Sequence, residues 1–178
     1  MVPGMKRIRI AYYSLGGHTA RVAKDLAARL GAELFELREA THRHGVFGHL
    51  RAVFDTVCDR PAILENSGKL AGDYDLTIVG TPIWAGRITP AARTCLQSLR
   101  DQDGDIAFFQ TSGGTEPEHV VPSVEKLIGR RLVAFGGMTH HELEDAALYQ
   151  RKLDALVTGV KLWPPHHGIE PAVSHAHA

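Results

Sequence analysis

The apolar positions of this chain change spacing in a regular way, from short unbroken runs to helical repeats and back again. Arg7 to Tyr13 is the first short run and reads as a strand. Val22, Ala23, Leu26, Ala27 and Leu30 then recur at helical intervals, and Gly31 stands where a helix C-cap favours a left-handed residue. Ala32 to Leu37 is the second strand. Leu76 to Gly80 is apolar on both faces, as in a central parallel strand, and Thr89-Pro90 supplies an N-cap followed by Pro at the first helical position. The helix it opens carries Cys95, Leu96 and Leu99. Ile106 to Gln110 is the fourth strand, and Thr115-Glu116-Pro117-Glu118 has the capping-box pattern for a helix running through Ile128. Arg131 to Phe135 reads as the fifth strand. Thr139-His140-His141-Glu142 is a second capping box, and Leu153, Leu156, Val157 and Val160 give the last helix its apolar stripe. This alternation predicts an α/β fold in three layers, a five-stranded parallel sheet covered on both faces.

The interval between the second and third strands is far longer than a usual connection of about 2 to 6 residues plus its helix. Within it His42 to Gly45 reads as a loop. Val46, Leu50, Val53 and Val57, with Phe47 and Phe54 beside them, fall at helical intervals and present a bulky apolar face. Residues 41–57 therefore form either a lid at the ligand edge or an ordinary crossover helix. From Pro164 onward no periodicity survives, so residues 1–163 read as a single domain and 164–178 as a loosely ordered tail.

Composition narrows the function. With 178 residues and 44% apolar content the chain suits one core. Lys plus Arg and Asp plus Glu both total 20, so no single-sign field points to nucleic acid or an anionic membrane. No run approaches the roughly 20 apolar residues of a membrane helix, and Met1 to Lys6 has no secretory apolar stretch, which makes a cytoplasmic location the expectation. Cys58 and Cys95 fit no metal or redox spacing and read as free, buried thiols. His140-His141, His166-His167, His175 and His177 lack zinc-finger or His-Glu-x-x-His spacing, and no structural metal is expected.

The candidate chemistry lies in the loops after the strands. Ser14-Leu15-Gly16-Gly17-His18-Thr19 joins the first strand to the first helix, so backbone N–H groups of a glycine turn and a helix N-terminus converge, with the Ser14 and Thr19 hydroxyls as added donors. An anion such as phosphate fits there. No Lys or Arg lies in the loop, and neither a Walker A nor a three-glycine dinucleotide spacing is present. Thr81, Pro82, Ile83, Trp84, Ala85 and Gly86 follow the third strand and can set Trp84 against a flat heterocycle, or else Trp84 is a core residue. Thr111, Ser112, Gly113 and Gly114 follow the fourth strand, where glycines admit a ligand close to the backbone.

In series these three motifs resemble flavodoxin-like proteins that bind flavin mononucleotide (FMN). In that family a Ser/Thr, one or two Gly, an Asn or His and a Thr form the phosphate loop, which Ser14, Gly16, Gly17, His18 and Thr19 match. The loop after the third strand packs an aromatic residue on the flavin, matching Trp84. The resemblance covers roughly residues 7 to 157 and implies a doubly wound sheet ordered 2-1-3-4-5, with ligands at the carboxyl edge of the strands. It implies FMN as cofactor and a redox partner, either a small molecule or a protein, with a homodimer as a further expectation.

Three function classes follow. In a flavin-dependent oxidoreductase acting with a nicotinamide, a quinone or a protein electron partner, the flavin carries the chemistry and no protein nucleophile is needed. A flavodoxin-type electron carrier is the alternative, and the zero net charge weighs against it because such carriers are strongly acidic. The third is a degenerate flavodoxin-like module that binds a partner without flavin. A signalling receiver is excluded, because Tyr13-Ser14, Gly80-Thr81 and Gly136-Gly137 stand where it needs an acidic pair, an Asp and a Lys.

Overall fold

The computed structural model describes residues 6–40, 62–70 and 72–163. The expected loop at His42 to Gly45, the helix at 46–57, Cys58 and the tail 164–178 lie outside the described residues. Six strands form around a parallel core: β1 (Ile8–Tyr12), β2 (Glu33–Glu36), β3 (Leu76–Trp84), β4 (Arg87–Ile88), β5 (Asp105–Ser112) and β6 (Ala134–Thr139). Their order is β2-β1-β3-β5-β6, all parallel, with β4 pairing antiparallel to β3. Leaving aside β4, this is the expected 2-1-3-4-5 order.

Helices cover both faces. Ile10, Tyr12, Ile78, Phe109 and Met138 face α1 (His18–Leu30) and the last helix, α5 (Ala146–Leu162). Ala11, Val79, Ile106 and Phe108 face α2 (Pro90–Leu99) and α3 (Pro117–Ile128). The strict alternation along strands buried on both sides explains why the sequence reads as continuous apolar runs. Arg9 is the exception in β1. It is buried, donates to Leu70 O at 2.8 Å and Thr77 Oγ1 at 3.2 Å, and so pins the segment that returns to β3. Cys95 is free and buried as expected, and burial pushes its thiol up to about 12.

Some expected boundaries fall elsewhere. The fifth parallel strand runs Ala134–Thr139 rather than Arg131 to Phe135. Glu125 accepts from the Leu132 N–H at 3.0 Å and pairs with Arg131, which holds residues 131–132 in the turn before the strand. Gly136 and Gly137 lie beyond the expected end of that strand, yet they are inside β6. A Cβ at Gly136 would meet Leu156 Cδ2 at 2.6 Å, and one at Gly137 would meet Pro117 Cγ at 2.7 Å, so the glycines are where helices press onto the strand. The Thr115–Glu118 capping box does not form. Glu116 is the N-cap without a side-chain bond, and Pro117 at the first position has no N–H to cap.

The second capping box does form. Thr139 and Glu142 bond reciprocally, but the helix they open, α4 (His140–Glu144), stops after five residues, and Asp145 caps α5 separately through Ala147 N and Leu148 N. Burial alone would raise the Glu142 carboxyl. The Thr139 N–H, the Lys152 ammonium and the Thr139 hydroxyl outweigh it, and the net shift is downward. A depressed carboxylate stabilises the fold above its unfolded value, about 4.3, and that contribution disappears as pH falls through the lower folded value. Glu142→Gln should therefore flatten the stability profile in that acid window. Chemical denaturation between pH 3 and pH 6 measures it, and an unchanged slope contradicts it.

Candidate functional site

The sheet register brings the three motifs to one edge. Tyr12 is opposite Gly80, Pro82 is opposite Thr111, and Ser112 is opposite Thr139, so the chain leaves β1, β3, β5 and β6 on the same carboxyl side. Two direct contacts then join the motifs. The Thr19 and Thr111 hydroxyls hydrogen-bond at 2.8 Å in a buried setting, and the Tyr13 and Trp84 rings meet edge to face at 6.0 Å between centroids.

Gly17 is the N-cap of α1, with φ 87° and no side-chain cap, and the first turn of α1 holds no acidic residue. The other described α-helix starts are provided for: Thr89 caps α2, Pro117 opens α3 with Glu118 in its first turn, Thr139 caps α4 and Asp145 caps α5. The N–H groups and positive dipole end of α1 thus remain available to an external anion. Ser14 Oγ accepts from Gly17 N at 3.2 Å, which leaves the Ser14 hydroxyl proton free to donate. Leu15, Gly16, Gly17 and His18 are exposed around it. Thr19 is placed differently from a simple loop donor. Its hydroxyl is committed to Thr111, but in such a pair the accepting hydroxyl keeps its own proton for a further bond.

The second motif is a hairpin rather than a loop, and this is a correction. Thr81, Pro82, Ile83 and Trp84 continue β3, Ala85 (φ 49°) and Gly86 (φ 74°) make a two-residue turn, and Trp84 pairs with Arg87. Left-handed backbone at both turn residues matches the twist of a tight hairpin and costs the non-glycine Ala85 about 1 kcal/mol. Pro82 sits at the end of the β5 pairing, so its missing N–H forfeits little. The Thr81 hydroxyl is fully buried and bonds Thr89 Oγ1 at 2.9 Å, which ties the strand to the cap of α2. Trp84 is half-buried, neither a core residue nor a free one.

The third motif is braced from within. Gln110 Nε2 and Ser112 Oγ both donate to Thr115 O, at 2.6 and 2.8 Å, and Gly114 N donates to Ser112 Oγ at 3.3 Å. Gly113 and Gly114 have open space where a Cβ would stand. Sequence reasoning missed Tyr13 as the aromatic partner of Trp84. The signal was present, an aromatic at the carboxyl end of a central strand, but Tyr13 was absorbed into the strand.

The architecture matches solved structures. This chain has a flavodoxin-like fold. It is similar to a flavoprotein from Lactobacillus acidophilus in complex with FMN, at 22% identity and TM-score 0.61, over 78% of this chain and 97% of that one. It is also similar to oxidised flavodoxin 2 from Bacillus cereus, at 17% identity and TM-score 0.55 over 87% and 98%. An NADH:FMN oxidoreductase matches at 16% identity and TM-score 0.54 over 89% and 90%. No family model and no curated protein sequence matches the chain. Within this flavodoxin-like fold, no helix among the described residues is long and apolar enough to cross a membrane.

Proposed function

We propose that this chain binds FMN at the carboxyl edge of the sheet and acts as a flavin-dependent oxidoreductase with a nicotinamide, quinone or protein electron partner. The observation that carries the reading is the joining of the three motifs at one edge through the Thr19–Thr111 hydrogen bond and the Tyr13–Trp84 pair. The residues present fit the cofactor. A phosphate needs donors without competing acid, which the uncapped start of α1 and the Ser14 hydroxyl offer. A flat heterocycle needs aromatic walls, which Trp84 and Tyr13 offer, and its polar edge needs N–H donors, which the glycine backbone after Ser112 offers. When bound, FMN supplies the electron and hydride chemistry. The protein's residues bind it, orient it and limit water at its ring. Zero net charge favours an enzyme over an acidic shuttle, which needs a single-sign docking field.

Tryptophan fluorescence tests the placement. Trp84 is expected to be quenched when FMN binds. Trp163 is the control, because it packs beside Lys6, ahead of β1, roughly 20 Å along the strand from Tyr13. If Trp84→Phe leaves the flavin-dependent quenching as large as before, Trp84 does not flank the ring.

A further inference from the structure

His18 and His140 come from opposite ends of the sequence and meet beside the anion loop. Their rings lie 5.0 Å apart between centroids, with 31° between planes. Both are exposed, and among the described residues neither imidazole has a hydrogen-bond partner. Two ring systems with unspent N–H donors thus face solvent together at the carboxyl edge.

The setting of His140 is built rather than incidental. It is the first residue of α4, a five-residue helix whose buried contribution is Leu143 alone. That short helix is nevertheless fixed on two sides. The Thr139–Glu142 box holds its start, and Lys152 of α5 pairs with Glu142 at 3.2 Å, so that carboxylate is engaged by Thr139 and Lys152. Arg21, one turn beyond His18 on α1, donates to Leu143 O at 2.9 Å, one turn beyond His140. The first turns of α1 and α4 are therefore joined by this bond and by the contact between the two imidazoles.

We propose that His140 is a further phosphate-binding residue, donating with His18 beside the anion loop. The loop from Ser14 to Thr19 holds no Lys or Arg, so side-chain donors to an anion must come from hydroxyls and from neighbours, and the two imidazoles are neighbours with free donors. The ligand class is a phosphate monoester. The proposal rests on the reading that an anion sits at the start of α1, and it adds the discriminating contribution of β6 and α4 to that site.

Two variants separate hydrogen bonding from stacking. His140→Phe keeps a flat ring against His18 but has no N–H, and His140→Gln keeps an N–H without a ring. His140 is exposed, so both variants should fold, as circular dichroism will show. The expected result is that His140→Phe weakens FMN roughly tenfold while riboflavin is unchanged, and that His140→Gln retains most of the FMN affinity. Equal effects of the two variants, or a loss shared by riboflavin, overturn the proposal. A second measurement uses inorganic phosphate, followed by NMR through the His18 and His140 ring signals. Saturable movement of both supports phosphate binding by the pair even if FMN fails to bind, in which case the cofactor reading alone falls. Movement of His18 without His140, or of neither, overturns it.

Discussion

Gly16→Asp is expected to weaken FMN about thirtyfold while leaving the fold as stable as before or slightly more so. The backbone at Gly16 lies outside the left-handed region, and a Cβ there meets only His18 Cδ2, at 3.9 Å, so the side chain fits. A carboxylate beside the unpaired N–H groups of α1 satisfies the helix dipole, worth about 0.3 to 1 kcal/mol. The same carboxylate repels a phosphate bound at that spot, by on the order of 2 kcal/mol at an effective surface dielectric, which is the thirtyfold loss. Stability and affinity therefore move in opposite directions. Riboflavin, which lacks the phosphate, should bind the variant as it binds the parent. Parallel thermal melts and flavin titrations measure both, and an equal loss for FMN and riboflavin would show that the phosphate lies elsewhere.

Gly80→Ala is expected to cost about 3 kcal/mol of stability. Gly80 sits in β3 directly opposite Phe109 in β5, and a Cβ there would land well inside contact distance of Phe109 Cζ and Cε1. Phe109 is fully buried among Ile78, Met138 and Tyr149, so its ring cannot swing away cheaply, and overpacking of this kind reaches about 3 kcal/mol. The cost should be steric. Gly86→Ala, at φ 74° with open space around it, tests a purely conformational cost, for which about 1 to 2 kcal/mol is expected. Adding Phe109→Leu to Gly80→Ala should recover part of the loss, giving a non-additive double mutant. Urea denaturation of the set decides it. Additive effects would mean that the ring and the glycine do not compete for the same space.

The sequence was legible where one physical signal dominated. Alternating runs and helical repeats predicted the layers, because strands buried on both faces leave continuous apolar runs that helices interrupt, whereas the strand order followed only from the family resemblance. The Gly31 C-cap and the Thr139 box were read from local rules and are observed. Failures came where tertiary context overrode a local rule. Thr81-Pro82 looked like the end of a strand, yet β3 continues because β4 supplies new pairing beyond Pro82. The fifth strand was expected to end at Phe135, yet it runs through Gly136-Gly137, where close packing by Leu156 and Pro117 requires small residues. At the site, Ser14, Gly16 and Gly17 stand where the loop pattern placed them, whereas the commitment of the Thr19 hydroxyl to Thr111, 92 residues away, has no local signature.

The most direct measurement is a paired titration of freshly purified protein, stripped of any bound flavin, with FMN and with riboflavin. The account predicts a single FMN site and an affinity for FMN at least tenfold above that for riboflavin, the excess arising from phosphate at the start of α1. Ser14→Ala should shrink that excess severalfold without touching riboflavin. Absence of FMN binding, or equal affinity for the two flavins, would contradict it.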